Sequence, residues 1–251
     1  DLTANIVAFE LLLEARKPTV ALCMGEHGLA SRVLARKFGA LLTFAALRDG
    51  EGTAPGQPTI DELRTGYRWD AITPQTQVFG VIGHPVGHSM SPPIHNAGFD
   101  AIEYPGVYLP LPIDPSYEAF AAVLDRWLAF TPLHFRGASV TIPHKENLLR
   151  YVREQAGEID PLADRIGAAN TLAVREDGSL FACNTDYDGA MDSVCDAMGI
   201  ERDALAGVRV GVIGAGGAAR AVVAGFAHHG ATVVIYNRTR DKAERLASEF
   251  G

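Results

Sequence analysis

The stretch VRVGVIGAGGAARAVV at 208–223 leaves its part of the chain few ways to fold. An apolar run short enough for a buried strand ends on glycine, and small residues then lead into a helical pattern. The spacing is G-x-G-x-x-A, at Gly214, Gly216 and Ala219. Gly214 permits the tight turn, Gly216 lets a diphosphate approach the backbone, and Ala219 keeps the helix close to the sheet. The helix N-terminus then faces the phosphates. A corner of this kind belongs to an alternating β-α-β chain, so the fold class is α/β.

The nucleotide is read at the end of the next strand. A ribose-binding carboxylate roughly twenty residues on would favour NAD. Here YNRTR stands at 236–240 instead. Arg238, with Thr239 and Arg240, offers charge-assisted bonds to a 2′-phosphate, so NADP is expected. The plainer reading makes these solvated loop residues.

GVIG occurs a second time at 80–83, in VFGVIGHPVGHSMSPPIHNAGF. No glycines follow it at dinucleotide offsets. Ser89 and Ser91 lie two apart instead; in extended chain their hydroxyls face one way and could hold a small carboxylate. Ser91 before Pro92 also reads as a helix N-cap, which leaves Ser89 free. His84, His88 and His95 fit neither a helix face nor a zinc spacing, and no metal site is expected.

In GASVTIPHKEN (137–147), Ser139 and Thr141 alternate with Val140 and Ile142 until Pro143 stops the strand. Lys145 then opens a helix, where the positive end of the dipole disfavours an ammonium and eases the proton exchange a catalytic acid/base needs. A solvated lysine is the alternative. Asn170 lies in GAANT and Asp186 in CNTDYDG. One of Asn184, Thr185 and Asp186 is expected to cap the next helix, and Asp186 beside Lys145 would make a proton-transfer pair.

Apolar spacing predicts a helix over 2–15, strands at 19–24 and 40–47, and helices over 27–39 and 59–67. That periodicity lapses in TGYRWDAITPQTQ (65–77), the expected linker. The domains read as 1–68, 76–185 and 186–251. A net charge of −8 with no block of lysine or arginine excludes a nucleic-acid or anionic-membrane surface. The apolar run 208–227 is interrupted by Arg209, Arg220 and glycines, so no membrane span is expected. Three cysteines without a C-x-x-C suit a reducing cytoplasm. Asp1 is not an initiator methionine and no signal-peptide pattern follows, so the chain is expected to begin inside a longer polypeptide.

Taken in order, VFGVIGHPVGHSMSPPIHNAGF, GASVTIPHKE, GAANT, NTDYDG, VIGAGGAARA and YNRT closely resemble shikimate dehydrogenase from about Val78 to Gly251. The resemblance implies NADP-dependent, reversible reduction of 3-dehydroshikimate to shikimate. It implies that Ser89 and Ser91 bind the substrate carboxylate, that Thr141, Asn170 and Asp186 contact the ring hydroxyls, and that Lys145 and Asp186 are the catalytic pair. Gly214, Ala215, Gly216, Gly217 and Ala218 would line the diphosphate, and Asn237, Arg238 and Thr239 the 2′-phosphate.

The preceding run from Lys17 to Leu63 is similar to the closing part of type I 3-dehydroquinate dehydratase, a (β/α)8 barrel. That likeness implies Arg32 on a substrate carboxylate and Thr53 and Gln57 in the closing loop. Neither Lys17 nor Lys37 matches the Schiff-base lysine. The implied architecture is a partial (β/α)8-barrel segment, an α/β substrate-binding domain and a truncated Rossmann NADP-binding domain. Together they imply a bifunctional protein with further N- and C-terminal parts. The family also places substrate- and cofactor-facing residues, including a glutamine, in a later segment, so weak or no turnover is expected of residues 1–251 alone. Two alternatives stand beside this reading: a quinate/shikimate dehydrogenase preferring NAD, and a non-catalytic sensor of shikimate-type acids.

Overall fold

In the computed structural model, which describes residues 1–250, QVFGVIG forms β1 (Gln77–Gly83). It pairs in parallel with β2 (Gly106–Pro112) on one side and β3 (Phe135–Val140) on the other. A parallel strand flanked on both sides needs a near-continuous apolar run, and VFGVI supplies it. The glycines serve packing. A methyl on Gly80 would lie 2.5 Å from Leu111 Cδ1, and one on Gly83 2.5 Å from Thr141 Cγ2. The crossovers are α3 (Ser91–Ala101) and α4 (Tyr117–Ala129). Ser116 caps α4 by accepting the Ala119 N–H at 3.1 Å, and the helix buries Phe120, Val123, Leu124 and Trp127 on one stripe.

The chain divides into two units, Asp1–Asn147 with Ala173–Gly178 and Leu148–Leu172 with Ser179–Gly251. In the first, α1 (Thr3–Glu14) packs on α4: Trp127 Nε1 donates to the Leu2 carbonyl at 3.2 Å, and Phe9 stacks on Phe38 with ring centroids 4.1 Å apart. Burying a phenylalanine of this kind contributes about 1.5–3 kcal/mol.

The expected strands at 19–24 and 40–47 do not form. Their backbone makes single bonds only, such as Leu41 N–H to Thr19 O and Ala46 N–H to Pro58 O, both 2.9 Å, with one isolated bridge between Ala46 and Thr59. A strand needs a run of hydrogen-bonded partners, and apolar spacing does not report them. The helix expected over 27–39 shortens to α2 (Leu29–Val33) followed by turns up to Gly39, which takes φ 76°. Thr59 and Glu62 form a reciprocal capping box, with bonds of 2.7 and 3.1 Å, ahead of a wide helical turn at Glu62–Gly66.

The expected linker is pinned. Arg68, only 8% exposed, donates Nη1 to the carbonyls of Tyr104 and Gly106 at 3.0 and 2.6 Å and pairs with Asp100. Lys37, 4% exposed, donates Nζ to Pro74 O at 2.6 Å, Thr76 O at 2.9 Å and His134 Nδ1 at 3.1 Å. Buried cations survive here because each finds carbonyl acceptors.

α5 (Lys145–Glu154) runs across the boundary between the units. In the second unit, β4 (Glu158–Ile159) pairs in parallel with β6 (Leu180–Cys183). Between them in the chain come α6 (Pro161–Ile166) and β5 (Thr171–Val174), whose last two residues and the turn at Asp177-Gly178, where Gly178 takes φ 83°, belong to the first unit. α7 (Asp186–Met198) precedes a parallel β-α-β unit of β7 (Arg209–Ile213), α8 (Gly217–His228) and β8 (Thr232–Tyr236), closed by α9 (Arg240–Phe250). Ile166, Val212, Ala221, Val223, Leu246 and Phe250 share its core. Apolar spacing gives no sign of β4 or α6, which are two and six residues long. Yet the sequence carries their punctuation: Asp160 caps α6 through the Leu162 and Ala163 N–H groups at 2.9 and 3.0 Å, Pro161 stands at its first position, and Gly167 ends it at φ 75°.

Desolvation brings the Lys37 ammonium down to about 8, from 10.5. Between those two values the unfolded chain holds the extra proton, so the stability tied to Lys37 rises as pH climbs from about 8 to about 10.5. The Tm of the parent minus that of Lys37→Met is therefore expected to increase between about pH 7 and about pH 10. A difference that stays constant over that range refutes the assignment.

Candidate active site

β1 and β3 are parallel neighbours, so the loops after them leave from the same carboxyl edge, where α/β sheets hold ligands. The two loops are tied together. His84 N–H donates to Ile142 O at 3.0 Å and Thr141 N–H to Ile82 O at 2.9 Å. Ser89, Ser91, Thr141 and Lys145 all lie on these loops and are half-buried. Ser91 is not the N-cap expected of it: Met90 is, and Ser89 Oγ accepts the Ser91 N–H at 3.2 Å. The prolines explain this. Pro92 and Pro93 have no N–H to cap, so the Ser91 N–H is the donor left to satisfy. Ser89 is thus tied to the backbone as an acceptor and keeps its O–H as a donor.

Lys145 opens α5, and the residue before it is an anchor. His144 is fully buried, bonds Ile113 O through Nε2 at 2.9 Å and meets Asn147 Nδ2 through Nδ1 at 2.9 Å. A carbonyl needs a donor and an amide nitrogen an acceptor, so the proton sits on Nε2. Burial pulls its pKa below the ordinary histidine value, which keeps the ring neutral beside the helix start. The sequence reading passed over His144; its position between Pro143 and Lys145 was the available signal. Of the other histidines, His95 stacks on Tyr108 with centroids 4.2 Å apart. Among the described residues no group of three or more His, Cys, Asp and Glu side chains could hold a metal ion.

In the second unit, Asn170 Nδ2 donates to Asp186 Oδ1 at 2.8 Å and to Thr185 Oγ1 at 3.1 Å, while its Oδ1 accepts the Thr185 N–H at 2.9 Å. The buried Asn184 accepts the Asp186 N–H at 3.0 Å and donates to Ala168 O at 3.0 Å. Asn184 therefore serves the start of α7, and the Asp186 carboxylate meets the Asn170 amide.

The turn 214–218 is built as its spacing predicts. Gly214 takes φ 118°, which favours glycine, and donates its N–H to Tyr236 O at 2.7 Å. Gly216 is different. Its φ of −92° and ψ of −174° suit any residue, and a methyl there would meet nothing within 4 Å, as at Gly217. The protein's own packing leaves this space open, so the residues fit a diphosphate laid against the backbone beside Ala215 and Ala218. At the end of β8, Asn237 Nδ2 donates to Thr239 O at 2.7 Å, and Arg238 and Thr239 are exposed. Arg240 opens α9 and pairs with Glu244 at 2.7 Å, whereas Arg238 has no ion pair among the described residues.

A separate cavity of about 660 Å³ in the first unit is lined by Arg32, Thr53, Gln57, Met24 and Phe44 among others. Thr53 donates its N–H and hydroxyl to Gln57 Oε1 at 2.8 and 3.0 Å. Arg32 is 2% exposed yet poorly matched: Nη1 reaches Phe44 O at 3.4 Å, Nη2 reaches Met24 Sδ at 3.5 Å, and buried Nε has no partner. Desolvation pulls this guanidinium below its ordinary pKa. A cation so placed calls for an anion.

Comparison with known proteins places these features in families. Residues 81–172 match the shikimate dehydrogenase substrate-binding domain, residues 198–251 match shikimate/quinate 5-dehydrogenase, and residues 1–74 match type I 3-dehydroquinase. Most of the chain after residue 80 thus matches shikimate dehydrogenase models, with a type I 3-dehydroquinase match ahead of it. It is 42% identical to the chloroplastic bifunctional 3-dehydroquinate dehydratase/shikimate dehydrogenase of Arabidopsis thaliana, over 97% of this chain and 40% of that protein. Shikimate dehydrogenase (NADP(+)) of Ignicoccus hospitalis is 39% identical over 69% of this chain and 60% of its own. Among solved structures, a shikimate 5-dehydrogenase of Thermus thermophilus in complex with NADP(H) and shikimate superposes with a TM-score of 0.58 at 36% identity, covering 70% of this chain and 61% of that one. The chain spans 40 to 61% of the length of these three proteins.

Replacing Arg32 by Met removes an under-paired buried charge and keeps most of the volume. Arg32→Met is expected to be within about 1 kcal/mol of the parent or more stable, by thermal or urea unfolding. A loss of several kcal/mol would show that Arg32 is a structural cation after all.

Proposed function

We propose that the chain is part of a bifunctional dehydratase and dehydrogenase that reduces 3-dehydroshikimate to shikimate, reversibly, with NADP as cofactor. The observation that carries the reading is Gly216, a glycine the fold itself does not need, at the head of a dinucleotide helix. The likeness to NADP-dependent shikimate dehydrogenases supports the substrate.

In this reading Ser89 and Ser91 donate hydroxyl hydrogen bonds to the substrate carboxylate, and Thr141 and Asn170 hold its ring hydroxyls. Lys145, as an ammonium, gives its proton to the carbonyl oxygen during reduction and takes one from the hydroxyl during oxidation. Asp186 accepts a hydrogen bond from that same hydroxyl and orients it. Bound NADPH supplies the hydride for the carbonyl carbon. Gly214, Ala215, Gly216, Gly217 and Ala218 hold the diphosphate, and Arg238, with Asn237 and Thr239, the 2′-phosphate.

Residues 1–68 are read as a piece of a (β/α)8 barrel in which Arg32 meets a carboxylate and Thr53 and Gln57 belong to the closing loop. Residues 76–185 are read as the substrate domain and 186–251 as the Rossmann part. No helix of the described residues is long and apolar enough to cross a membrane, and the three free cysteines suit a cytoplasmic setting.

Two measurements on the full-length polypeptide test this reading through absorbance of the reduced nicotinamide. Lys145→Ala is expected to lower kcat by roughly 10²- to 10⁴-fold while shikimate binding holds within about threefold. An unchanged kcat overturns the role of Lys145. Arg238→Ala is expected to raise the KM for NADP by roughly ten- to a hundredfold and that for NAD by less than about twofold. A parent enzyme that prefers NAD overturns the role of Arg238.

A further inference from the structure

Arg220 stands in the first turns of α8 and bonds both the turn that precedes the helix and the end of α6. Its backbone N–H donates to Gly216 O at 2.9 Å, inside the dinucleotide turn. Its side chain leaves the helix in another direction. Nε donates to the carbonyl of Ile166, Nη1 pairs with Glu249, and the guanidinium lies 5.4 Å from the Phe250 ring centroid. Ile166 is the last residue of α6, and a cation at the carbonyl end of a helix satisfies an orphan acceptor. At Gly167, the next residue, an added methyl would come 3.6 Å from Arg220 Nη2.

Two residues along the backbone from Ile166, a further set of hydrogen bonds begins at Ala168. Ala168 O accepts from Asn184, Asn184 accepts the Asp186 N–H, and Asp186 accepts from Asn170, in bonds of 3.0, 3.0 and 2.8 Å. Packing alone already holds α6 on α8, because Leu162, Ile166, Ala221 and Val223 share one apolar cluster. A guanidinium is not needed for that packing. What it adds is a directional bond from the cofactor turn's own helix to the segment 166–170, which carries Asn170.

We propose that Arg220 is a positioning residue through which cofactor at the Gly214–Gly217 turn tightens the hold of Asn170 and Asp186 on the hydroxylated acid. The inference rests on the functional reading above and adds a coupling between its two ligands. Coupling of this kind is reciprocal: each ligand must change the affinity of the other by the same factor.

The test is titration calorimetry on the full-length polypeptide with shikimate and NADPH, a pair that cannot react with each other. Shikimate is titrated with and without saturating NADPH, and NADPH with and without saturating shikimate. The parent is expected to show one coupling factor of about fivefold or more in both directions. Arg220→Met is expected to bring that factor below about twofold and to leave NADPH affinity without shikimate within about twofold. Arg220→Lys, which keeps charge without the planar fork, is expected to fall between them and serves alone should Arg220→Met fail to fold.

A variant with lower Tm but the parent's coupling factor would make Arg220 merely structural and overturn the proposal. So would a parent without coupling, or a variant whose NADPH affinity alone falls by the whole factor. A parent that binds neither ligand would instead overturn the functional reading, and the two failures are distinguishable.

Discussion

Two backbones meet where Gly83 has no side chain. A methyl there would sit 2.5 Å from Thr141 Cγ2 and 3.1 Å from Ile142 O, so the end of β1 and the loop after β3 can approach only with glycine. That approach allows His84 N–H to reach Ile142 O, and it sets Ser89, Ser91, Thr141 and Lys145 on joined loops at one sheet edge. The other GVIG uses its glycines differently: Gly214 for an unusual backbone angle, with open space kept at Gly216 just beyond the tetrapeptide. One tetrapeptide therefore answers to close packing in one copy and to backbone conformation in the other.

Buried cations separate structure from binding in the first unit. Lys37 and Arg68 are both nearly enclosed, and each places donors on backbone carbonyls, Lys37 on Pro74 and Thr76 and Arg68 on Tyr104 and Gly106. Lys37 ties the turns after α2 to the segment ahead of β1, and Arg68 ties that same segment to the start of β2. Arg32 is as deeply buried but has only a long carbonyl contact, a thioether and an orphan Nε, beside a cavity. Five rigid donors with so few acceptors are costly at a buried position, and this sets Arg32 apart from the other two cations.

Much of the fold was legible because local signals and global packing agree. The apolar run that ends on Gly214, the alternating strand stopped by Pro143 and the helical spacing over 2–15 form as β7, β3 and α1. The failures share one cause. Residues 19–24 and 40–47 have strand-like composition but lack a run of paired neighbours, and 65–77 has linker composition but is gripped by residues distant in sequence. Ser91 was misread as a cap because proline at the next two positions shifts which N–H needs an acceptor.

By itself, the sequence determined the α/β alternation where apolar spacing is clear, the glycine turn at 214–217 and the chemical kinds of the candidate residues, since these depend on spacing, backbone allowance and side-chain functional groups. Only the tertiary structure decided who satisfies whom: that His144 anchors the start of α5, that Asn184 serves α7 while Asp186 meets Asn170, and that Arg220 ties α8 to α6. The physical reason is that hydrogen-bond partners and desolvation are properties of neighbours in space. No window along the chain contains those neighbours together.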